Sequence, residues 1–104
     1  MIKVKLQSEY DDLDKYLDAY DDILYFKEGT WLYHNTYGPA YIGKNGYKAY
    51  LIEDKYHRLD GPAIIFSYGE ERYYINDKPL SKENFEIHPE RLKYLDKEYL
   101  ICLG

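Results

Sequence analysis

The residues in this sequence most able to do chemistry are two histidines, His34 and His57, which stand 23 residues apart in similar surroundings. Imidazole is a common metal ligand, so one hypothesis is a shared zinc site. In consecutive hairpins, however, equivalent positions lie two strands apart, about 9 to 10 Å, whereas two ligands of one zinc ion lie within about 4 Å of each other. We therefore expect no metal site. We expect each imidazole to satisfy a backbone group in the turn before its Gly-Pro pair.

The side chains that could act as nucleophiles are few, and they are Ser8, Ser67, Ser81 and Cys102. None of them has a histidine beside it in the sequence or stands in a recognisable triad or nucleophile-elbow setting. Gly38 and Gly61 are followed by proline and a predicted strand, unlike the glycines of a phosphate loop that begins a helix. A single cysteine also excludes an internal disulfide. We predict a protein that is not an enzyme and uses no cofactor.

Negative charge is concentrated in one short segment. The chain has 104 residues and a formal net charge of −5, but the segment from Ser8 to Asp22 alone carries −6. Its carboxylates belong to Glu9, Asp11, Asp12, Asp14, Asp18, Asp21 and Asp22. Such a segment repels nucleic acid and attracts basic surfaces, including those of proteins that bind nucleic acid. We therefore predict a basic protein partner and no direct contact with nucleic acid.

The acidic segment is predicted to be helical. Ser8 and Asp11 resemble a capping box. The apolar residues that follow have the spacing of one helix face, and they are Tyr10, Leu13, Leu17 and Tyr20. We predict an amphipathic helix over residues 9–20 with an acidic outer face. Before it, the alternation of apolar and polar residues over positions 2–7 predicts a short opening strand.

The middle of the chain repeats itself. Residues 33–40 begin with Tyr-His and end with Gly-Pro-Ala, and residues 56–63 do the same 23 positions later. The register continues beyond this motif and starts a third copy, which stops near Lys78. Repetition at such a period is typical of arrays of small supersecondary units, which more often bind than catalyse.

Strand-forming residues alternate with turn signals throughout this region. The predicted strands cover about residues 23–28, 30–34, 39–43, 47–53, 62–67 and 70–76. Asn45-Gly46 predicts a type I′ hairpin turn, in which both central residues have positive φ. We therefore expect one hairpin per repeat and an antiparallel meander.

The last part of the chain predicts helix. Ser81 can cap a first turn, and His88-Pro89 places proline where a second helix begins. An apolar stripe then runs from Leu92 to Tyr99. A helix at the end of a sheet covers the edge strand and prevents its pairing with other chains. We expect the C-terminal helix to be such a cap, with Cys102 as a buried small residue.

The motif His-Arg-Leu-Asp-Gly-Pro-Ala at residues 57–63, with the apolar strand, glycine turn and Tyr-Tyr-Ile-Asn-Asp-Lys after it, resembles the MORN-like repeats of phage, giant-virus and bacterial proteins. The resemblance covers about residues 29–87 and fits the second copy best. It implies a rolled antiparallel sheet of hairpins used as a binding scaffold, with no catalytic residues. The small size and acidic segment look like a phage-borne accessory protein. By analogy, such a protein could inhibit a host defence system such as a CRISPR nuclease.

The predicted fold is α+β: an antiparallel β-meander of MORN-like hairpin repeats with an N-terminal acidic helix and a C-terminal capping helix. Residues 1–104 form one domain. Residues 1–22 hold the strand and acidic helix, residues 23–80 the hairpin repeats, and residues 81–104 the helical cap. No segment has the roughly 20 apolar residues that cross a bilayer, and no signal sequence is recognisable, so we expect a cytoplasmic protein without membrane contact.

The predicted function is non-enzymatic protein binding. The leading hypothesis is an inhibitor that occludes the basic, nucleic-acid-binding surface of a host defence nuclease. The expected contact residues are Glu9, Asp11, Asp12, Asp14, Asp18, Asp21, Tyr37, Tyr41, Tyr47 and Tyr68. These tyrosines stand near turns and offer a large contact area at low rotamer cost.

Two other uses of the same residues are open. One is a generic repeat scaffold or self-associating module, a homodimer included, in which a sheet face or edge makes the contact. The other is stacking of tyrosines on single-stranded nucleic acid. The acidic segment disfavours stacking, because nucleic-acid binding normally requires a basic surface.

Overall fold

The computed structural model describes residues 3–103, with side chains up to Asp96. Its strands are β1 (Lys3–Leu6), β2 (Leu13–Asp18), β3 (Ile23–Lys27), β4 (Tyr41–Ile42), β5 (Lys48–Ala49), β6 (Leu51–Ile52), β7 (Lys55–Tyr56), β8 (Ile64–Ile65), β9 (Glu71–Ile75) and β10 (Lys78–Leu80). Its helices are α1 (Lys82–Glu86) and α2 (Pro89–Leu103). The predictions for Ile2 and for the side chains of Tyr99 and Cys102 lie outside the described residues.

One antiparallel sheet dominates the fold. Its eight strands lie in the order β1-β2-β3-β4-β5-β8-β9-β10, and the β6-β7 hairpin intervenes between β5 and β8. Apart from the pair of β5 and β8, each pair joins strands that are consecutive in the chain, and all the pairs are antiparallel. The predicted combination of an antiparallel, hairpin-rich sheet with a C-terminal helix is therefore confirmed.

The predicted acidic helix over residues 9–20 is wrong, because β2 occupies residues 13–18 and turns lie on either side of it. Within the sheet Leu17 lies opposite Val4 of β1 on one side and Ile23 of β3 on the other. Leu13 and Leu17 are four residues apart, so they share a face in a strand as well as in a helix. Pairing along both edges of β2 outweighs the low strand propensity of its aspartates and lysine.

Most of the predicted strands are shorter in the structure, and the predicted strands 39–43 and 62–67 are reduced to β4 and β8, of two residues each. The predicted strand 30–34 is reduced to a bridge between Tyr33 and Phe26. The predicted strand 47–53 is divided into β5 and β6. Tyr50 lies between them, and its backbone N–H donates to the Ala63 carbonyl at 2.7 Å.

The predicted type I′ turn at Asn45-Gly46 is also wrong. Of the residues between β4 and β5, only Gly46 has positive φ, at 101°. The Gly46 N–H donates to the Gly43 carbonyl at 3.0 Å, and the Asn45 side chain accepts from the Tyr47 N–H at 3.1 Å. Gly46 is the one left-handed residue that this longer hairpin loop needs, whereas a two-residue type I′ turn needs two.

Type I′ turns are present elsewhere, between β6 and β7 and between β9 and β10. All four of their central residues have positive φ, between 47° and 69°. The second residue of each turn reaches back to the preceding copy of the repeat. The Asp54 carboxylate accepts from the Tyr33 N–H at 2.6 Å, and the Asp77 carboxylate accepts from the Tyr56 N–H at 3.2 Å.

The two histidines make the equivalent bonds to the first residue of each turn. Nδ1 of His34 accepts from the Glu53 N–H at 3.1 Å, and Nδ1 of His57 accepts from the Asn76 N–H at 3.0 Å. Each imidazole satisfies a backbone group, as predicted. That group, however, lies in a turn 19 residues later and not in the turn before Gly-Pro. Because Nδ1 accepts, each neutral imidazole carries its proton on Nε2.

Both C-terminal helices begin as the sequence predicts. The Ser81 hydroxyl accepts from the Asn84 N–H at 3.1 Å and caps α1. Pro89 is the first residue of α2. Nδ1 of His88 accepts from the Glu90 N–H at 3.2 Å, so this histidine lies at the helix start.

The helices cover one end of the sheet. Phe85 of α1 is buried, and its ring lies 4.6 Å from that of Tyr73 in β9. Arg91 of α2 donates to the Leu59 carbonyl at 2.6 Å. In the part of the chain that the structure describes, no helix is long and apolar enough to cross a membrane.

We expect Asp54→Ala to lower the free energy of unfolding by about 2 kcal/mol, because it removes a charged acceptor and places alanine at positive φ. Asp54→Asn keeps an acceptor and tolerates that φ, so it should retain most of the stability. Asp11→Ala, in an exposed turn, is the matched control. Urea unfolding measures all three variants, and an equal loss for Asp54→Ala and Asp11→Ala would contradict the structural role of the turn.

His57 should make stability depend on pH. Burial lowers the pKa of His57 below its usual value, although the nearby Glu90 carboxylate acts in the opposite direction. The unfolded chain therefore binds the extra proton first, so this contribution is complete above about pH 6.5 and is lost as the pH falls through the lower folded value.

The test compares urea unfolding of the wild-type chain and of His57→Asn between about pH 7 and pH 5. Asparagine places an acceptor near the position of Nδ1 but does not titrate in this range. The wild-type chain should lose stability more steeply than the variant. Parallel pH profiles would show that His57 is not responsible.

Candidate binding cleft

A row of aromatic rings crosses one face of the sheet. Its members are Phe26, Tyr33, Tyr41, Tyr47 and Phe66, with successive centroid distances of 4.7, 6.1, 5.6 and 5.8 Å. Their interplanar angles lie between 31° and 83°, as is typical of tilted and edge-to-face packing. The row is therefore one continuous aromatic surface.

Strand pairing explains why these rings lie together. Tyr41 of β4 lies opposite Leu24 of β3 and Ala49 of β5, so the three share a face. Ala49 is 2% exposed, and its small side chain leaves room for larger rings above it. Tyr33 joins the row through its bridge to Phe26.

Four rings of the row, those of Tyr33, Tyr41, Tyr47 and Phe66, line a cavity of about 1100 Å³, which we call the tyrosine cleft. Its lining residues are Tyr20, Asp22, Tyr33, Tyr41, Gly43, Lys44, Asn45, Tyr47, Ala49, Leu51, Tyr56, Phe66 and Ser67. The buried Ala49 and Leu51 form its floor, and four of the tyrosines pack against them. The volume is slightly above the range of about 300 to 1000 Å³ that is typical of small-molecule sites, so the cleft is large enough to hold a ligand.

Asp22 supplies the carboxylate in the cleft. Its Oδ2 accepts from the Tyr41 hydroxyl at 2.6 Å, and its Oδ1 accepts from the Lys44 N–H at 2.9 Å. The Lys44 ammonium points to the rim, where it lies 3.3 Å from Asp21. The carboxylate is thus fixed in position by a phenol and a backbone group.

Three tyrosine hydroxyls of the cleft, those of Tyr33, Tyr41 and Tyr47, have a raised pKa. Burial raises the pKa of Tyr47 to about 12. Burial, and next the hydrogen bond to Asp22, raise the pKa of Tyr41. Burial also raises the pKa of Tyr33. At neutral pH these three tyrosines are therefore phenols that can donate hydrogen bonds.

The four tyrosines predicted to contact a partner fall into two groups. Tyr41 and Tyr47 are half-buried in the cleft, so they are not the freely exposed side chains that the sequence suggested. Tyr37 is 57% exposed and stacks on Tyr10, with centroids 4.2 Å apart. Tyr68 is 73% exposed and stacks on Phe66, which continues the aromatic row beyond the cleft.

The predicted acidic contact residues do not share a helix face. Asp18 is 7% exposed and accepts from the N–H groups of Tyr20 and Asp22, so it closes the turn after β2. Asp14 accepts from the Gly29 N–H at 3.0 Å and lies 3.6 Å from the Lys5 ammonium. Both carboxylates serve the fold.

The other four acidic residues lie nearer the surface. Glu9 accepts from the buried Tyr25 hydroxyl and from Lys15. Asp12 accepts from the exposed Tyr37 hydroxyl at 3.2 Å. Asp21 pairs with Lys44, and Asp11 is exposed in the turn before β2. That these carboxylates contact a partner stays a prediction, but the helix on which it was based is replaced by β2 and its flanking turns.

Several residues of the cleft were not among the predicted contacts, notably Asp22, Tyr33, Tyr56 and Phe66. Tyr33 and Tyr56 occupy the same position in the two copies of the repeat, so the repeat itself contained the signal. Asp22 belongs to the acidic segment. Because that segment was interpreted mainly as a helix, the position of Asp22 directly before β3 was not recognised.

A second, smaller cavity of about 440 Å³ lies around Arg58. The Arg58 guanidinium stacks on Tyr50 at 3.9 Å from the ring centroid. It also donates to the Asp60 carboxylate at 2.9 Å and to the Pro62 carbonyl at 3.1 Å. Its charged group is already held inside the fold, so the tyrosine cleft is the stronger candidate site.

Comparison of the chain with models of protein families, with curated proteins and with solved structures finds no match. The resemblance to MORN-like repeats therefore stays a hypothesis. Among residues 3–96, no group of three histidine, cysteine, aspartate or glutamate side chains is arranged to hold a metal ion.

The hydrogen bond from Tyr41 to Asp22 should contribute to stability. We expect Tyr41→Phe to lower the free energy of unfolding by about 1 to 2 kcal/mol, because it removes one of the two donors to a half-buried carboxylate. Tyr68→Phe removes a hydroxyl that donates to Glu70 at an exposed site, so it should have almost no effect. Thermal and urea unfolding compare the two, and equal effects would contradict this assignment.

Proposed function

We propose that this chain is a non-enzymatic protein-binding module that holds a segment of its partner in the tyrosine cleft. The observation that supports this proposal is the cleft itself, with six aromatic side chains in its lining, a buried floor and a rim of exposed polar residues. Tyrosines make effective anchors at protein interfaces, because they offer large amphipathic area at low entropic cost. An extended peptide segment matches the open, elongated row of rings.

The positions of the possible catalytic groups favour binding over catalysis. His34, His57 and His88 each use Nδ1 to accept a backbone hydrogen bond. Ser8 and Ser81 likewise accept from backbone N–H groups, at Tyr10 and Asn84. General acid–base catalysis requires such groups to be free to reach a substrate.

The identity of the partner as a basic, nucleic-acid-binding protein of a host defence system stays part of the proposal. The net charge of −5 supports a basic partner. The contact that we propose is the cleft, since the acidic residues do not form a helix that could enter a nucleic-acid groove. If the partner is a nuclease, we propose that this chain inhibits it by binding the part of its surface that enters the cleft.

Self-association through a sheet edge is the less favoured alternative. The edge strand β1 carries Lys3 and Lys5, and the edge strand β10 carries Pro79. α1 follows β10 directly, and its Phe85 packs on the neighbouring strand β9. Lysine, proline and a covering helix are the features by which natural sheets avoid edge pairing.

A displayed library of random peptides tests the proposal, with the immobilised wild-type chain as bait. Ser67 is exposed at the rim of the cleft, so Ser67→Trp should fill the entrance without disturbing the core. The matched control is Gln7→Trp at an exposed position after β1. Selected peptides should bind Ser67→Trp at least about tenfold more weakly than the wild-type chain and Gln7→Trp.

Two results would contradict the proposal. Peptides that bind Ser67→Trp as tightly as the wild-type chain would place the contact outside the cleft. A library that gives no binders at all would argue against peptide recognition by this chain.

A further inference from the structure

We propose that the tyrosine cleft recognises a cationic side chain, arginine or lysine, within the partner segment. This inference rests on the proposed function and adds the chemical class of the residue that the cleft selects. It follows from three features of the cleft: aromatic walls whose tyrosine rings carry no cation of the described chain, a carboxylate held in the wall, and the pairing of the lining lysine with Asp21.

The walls of the cleft are electron-rich surfaces. The face of a tyrosine or phenylalanine ring carries partial negative charge and attracts a cation within about 6 Å of its centroid. This protein already uses that attraction elsewhere, since Lys3 lies 5.0 Å from the Trp31 centroid and Arg91 lies 4.6 Å from that of Phe85.

The tyrosine rings of the cleft, in contrast, are not used in this way by the protein itself. Within residues 3–96, no lysine or arginine of the chain lies over the rings of Tyr33, Tyr41, Tyr47 or Tyr56. The one cation over a ring that lines the cleft is Arg72, 5.7 Å from the Phe66 centroid. No cation of the described residues therefore competes with a cation from a partner for these tyrosine rings.

The Asp22 carboxylate lies in the wall of the cleft, within reach of a cation held against the rings. Each oxygen of Asp22 accepts one hydrogen bond, which leaves each with capacity for a second. An arginine or lysine head could thus donate to Asp22 while its stem lies between the rings. Asp18, behind the same wall, acts electrostatically on both Tyr33 and Tyr41, so the negative potential extends over this end of the cleft.

Lys44 is the only cation among the lining residues, and it does not cancel this potential. Its ammonium lies 3.3 Å from Asp21, and its side chain is 71% exposed. The pair of Lys44 and Asp21 is neutral, so the Asp22 charge remains uncompensated in the cleft. A phosphate would face this carboxylate and the negative ring faces, which disfavours nucleic acid as the occupant.

Two capped tripeptides test the inference directly. One is Gly-Arg-Gly, and the other carries citrulline, the neutral isostere of arginine, in the same position. Titration of the labelled protein is followed by the NMR shifts of Tyr47, Ala49 and Ser67. We expect the arginine peptide to bind about tenfold more tightly than the citrulline peptide, and the difference to shrink at high salt.

Three substitutions assign the effect to the cleft. Asp22→Asn keeps the shape and an acceptor but removes the charge, so it should abolish most of the preference for arginine over citrulline. Asp11→Asn makes the same change of net charge outside the cleft and should leave the preference unchanged. Lys44→Gln leaves Asp21 without its cation and so adds negative charge at the rim, which should strengthen arginine binding by about threefold, a gain that unfolding could not produce.

The outcomes separate this inference from the proposed function. Equal binding of the two peptides in the cleft would overturn the preference for a cation but leave peptide binding intact. Shifts outside the cleft, or none for either peptide, would overturn the inference, and together with failure of the peptide library they would overturn both proposals. Shifts in the cleft with a short oligonucleotide and not with the arginine peptide would identify nucleic acid as the occupant.

Discussion

The interaction on which the rest of this structure depends is the pair of hydrogen bonds from each type I′ turn back to the preceding Tyr-His pair. β4 to β8 have only two residues each, and so short a ladder cannot hold a hairpin in place. The carboxylates of Asp54 and Asp77 and the imidazoles of His34 and His57 satisfy backbone N–H groups across a separation of about twenty residues. In this protein, side-chain hydrogen bonds hold the hairpins in place, as longer strands do in other sheets.

The same links create the site, but the site is not repeated. Tyr33 and Tyr56, whose backbones the turns hold, both direct their rings into the cleft. Tyr41 and Tyr47, on the other hand, correspond to Ile64 and Glu70 in the next copy. The repeat therefore fixes the backbone, while differences between its copies decide where an aromatic cleft can form.

This division explains what could be predicted from the sequence. The repeat, the hairpins and the helix starts at Ser81 and Pro89 depend on local signals, and the structure contains them. The helix predicted for the acidic segment was wrong because Leu13 and Leu17 fit a helix and a strand equally. Only pairing with β1 and β3 decides between the two. The cleft depends on pairing between strands far apart in sequence, so no local pattern placed Asp22 beside Tyr41.

In so thin a molecule, with a shortest dimension of 20 Å, the core and the site are made of the same residues. Tyr33, Tyr41, Tyr47 and Tyr56 cover the small core of Ala40, Ala49 and Leu51 and also form the walls of the cleft. Their hydroxyls tolerate water, so these rings can remain half-buried where leucine or phenylalanine would expose apolar area. A ligand in the cleft would bury the exposed parts of these rings. Because such a ligand would bind the folded chain and not the unfolded one, its binding would stabilise the fold by mass action.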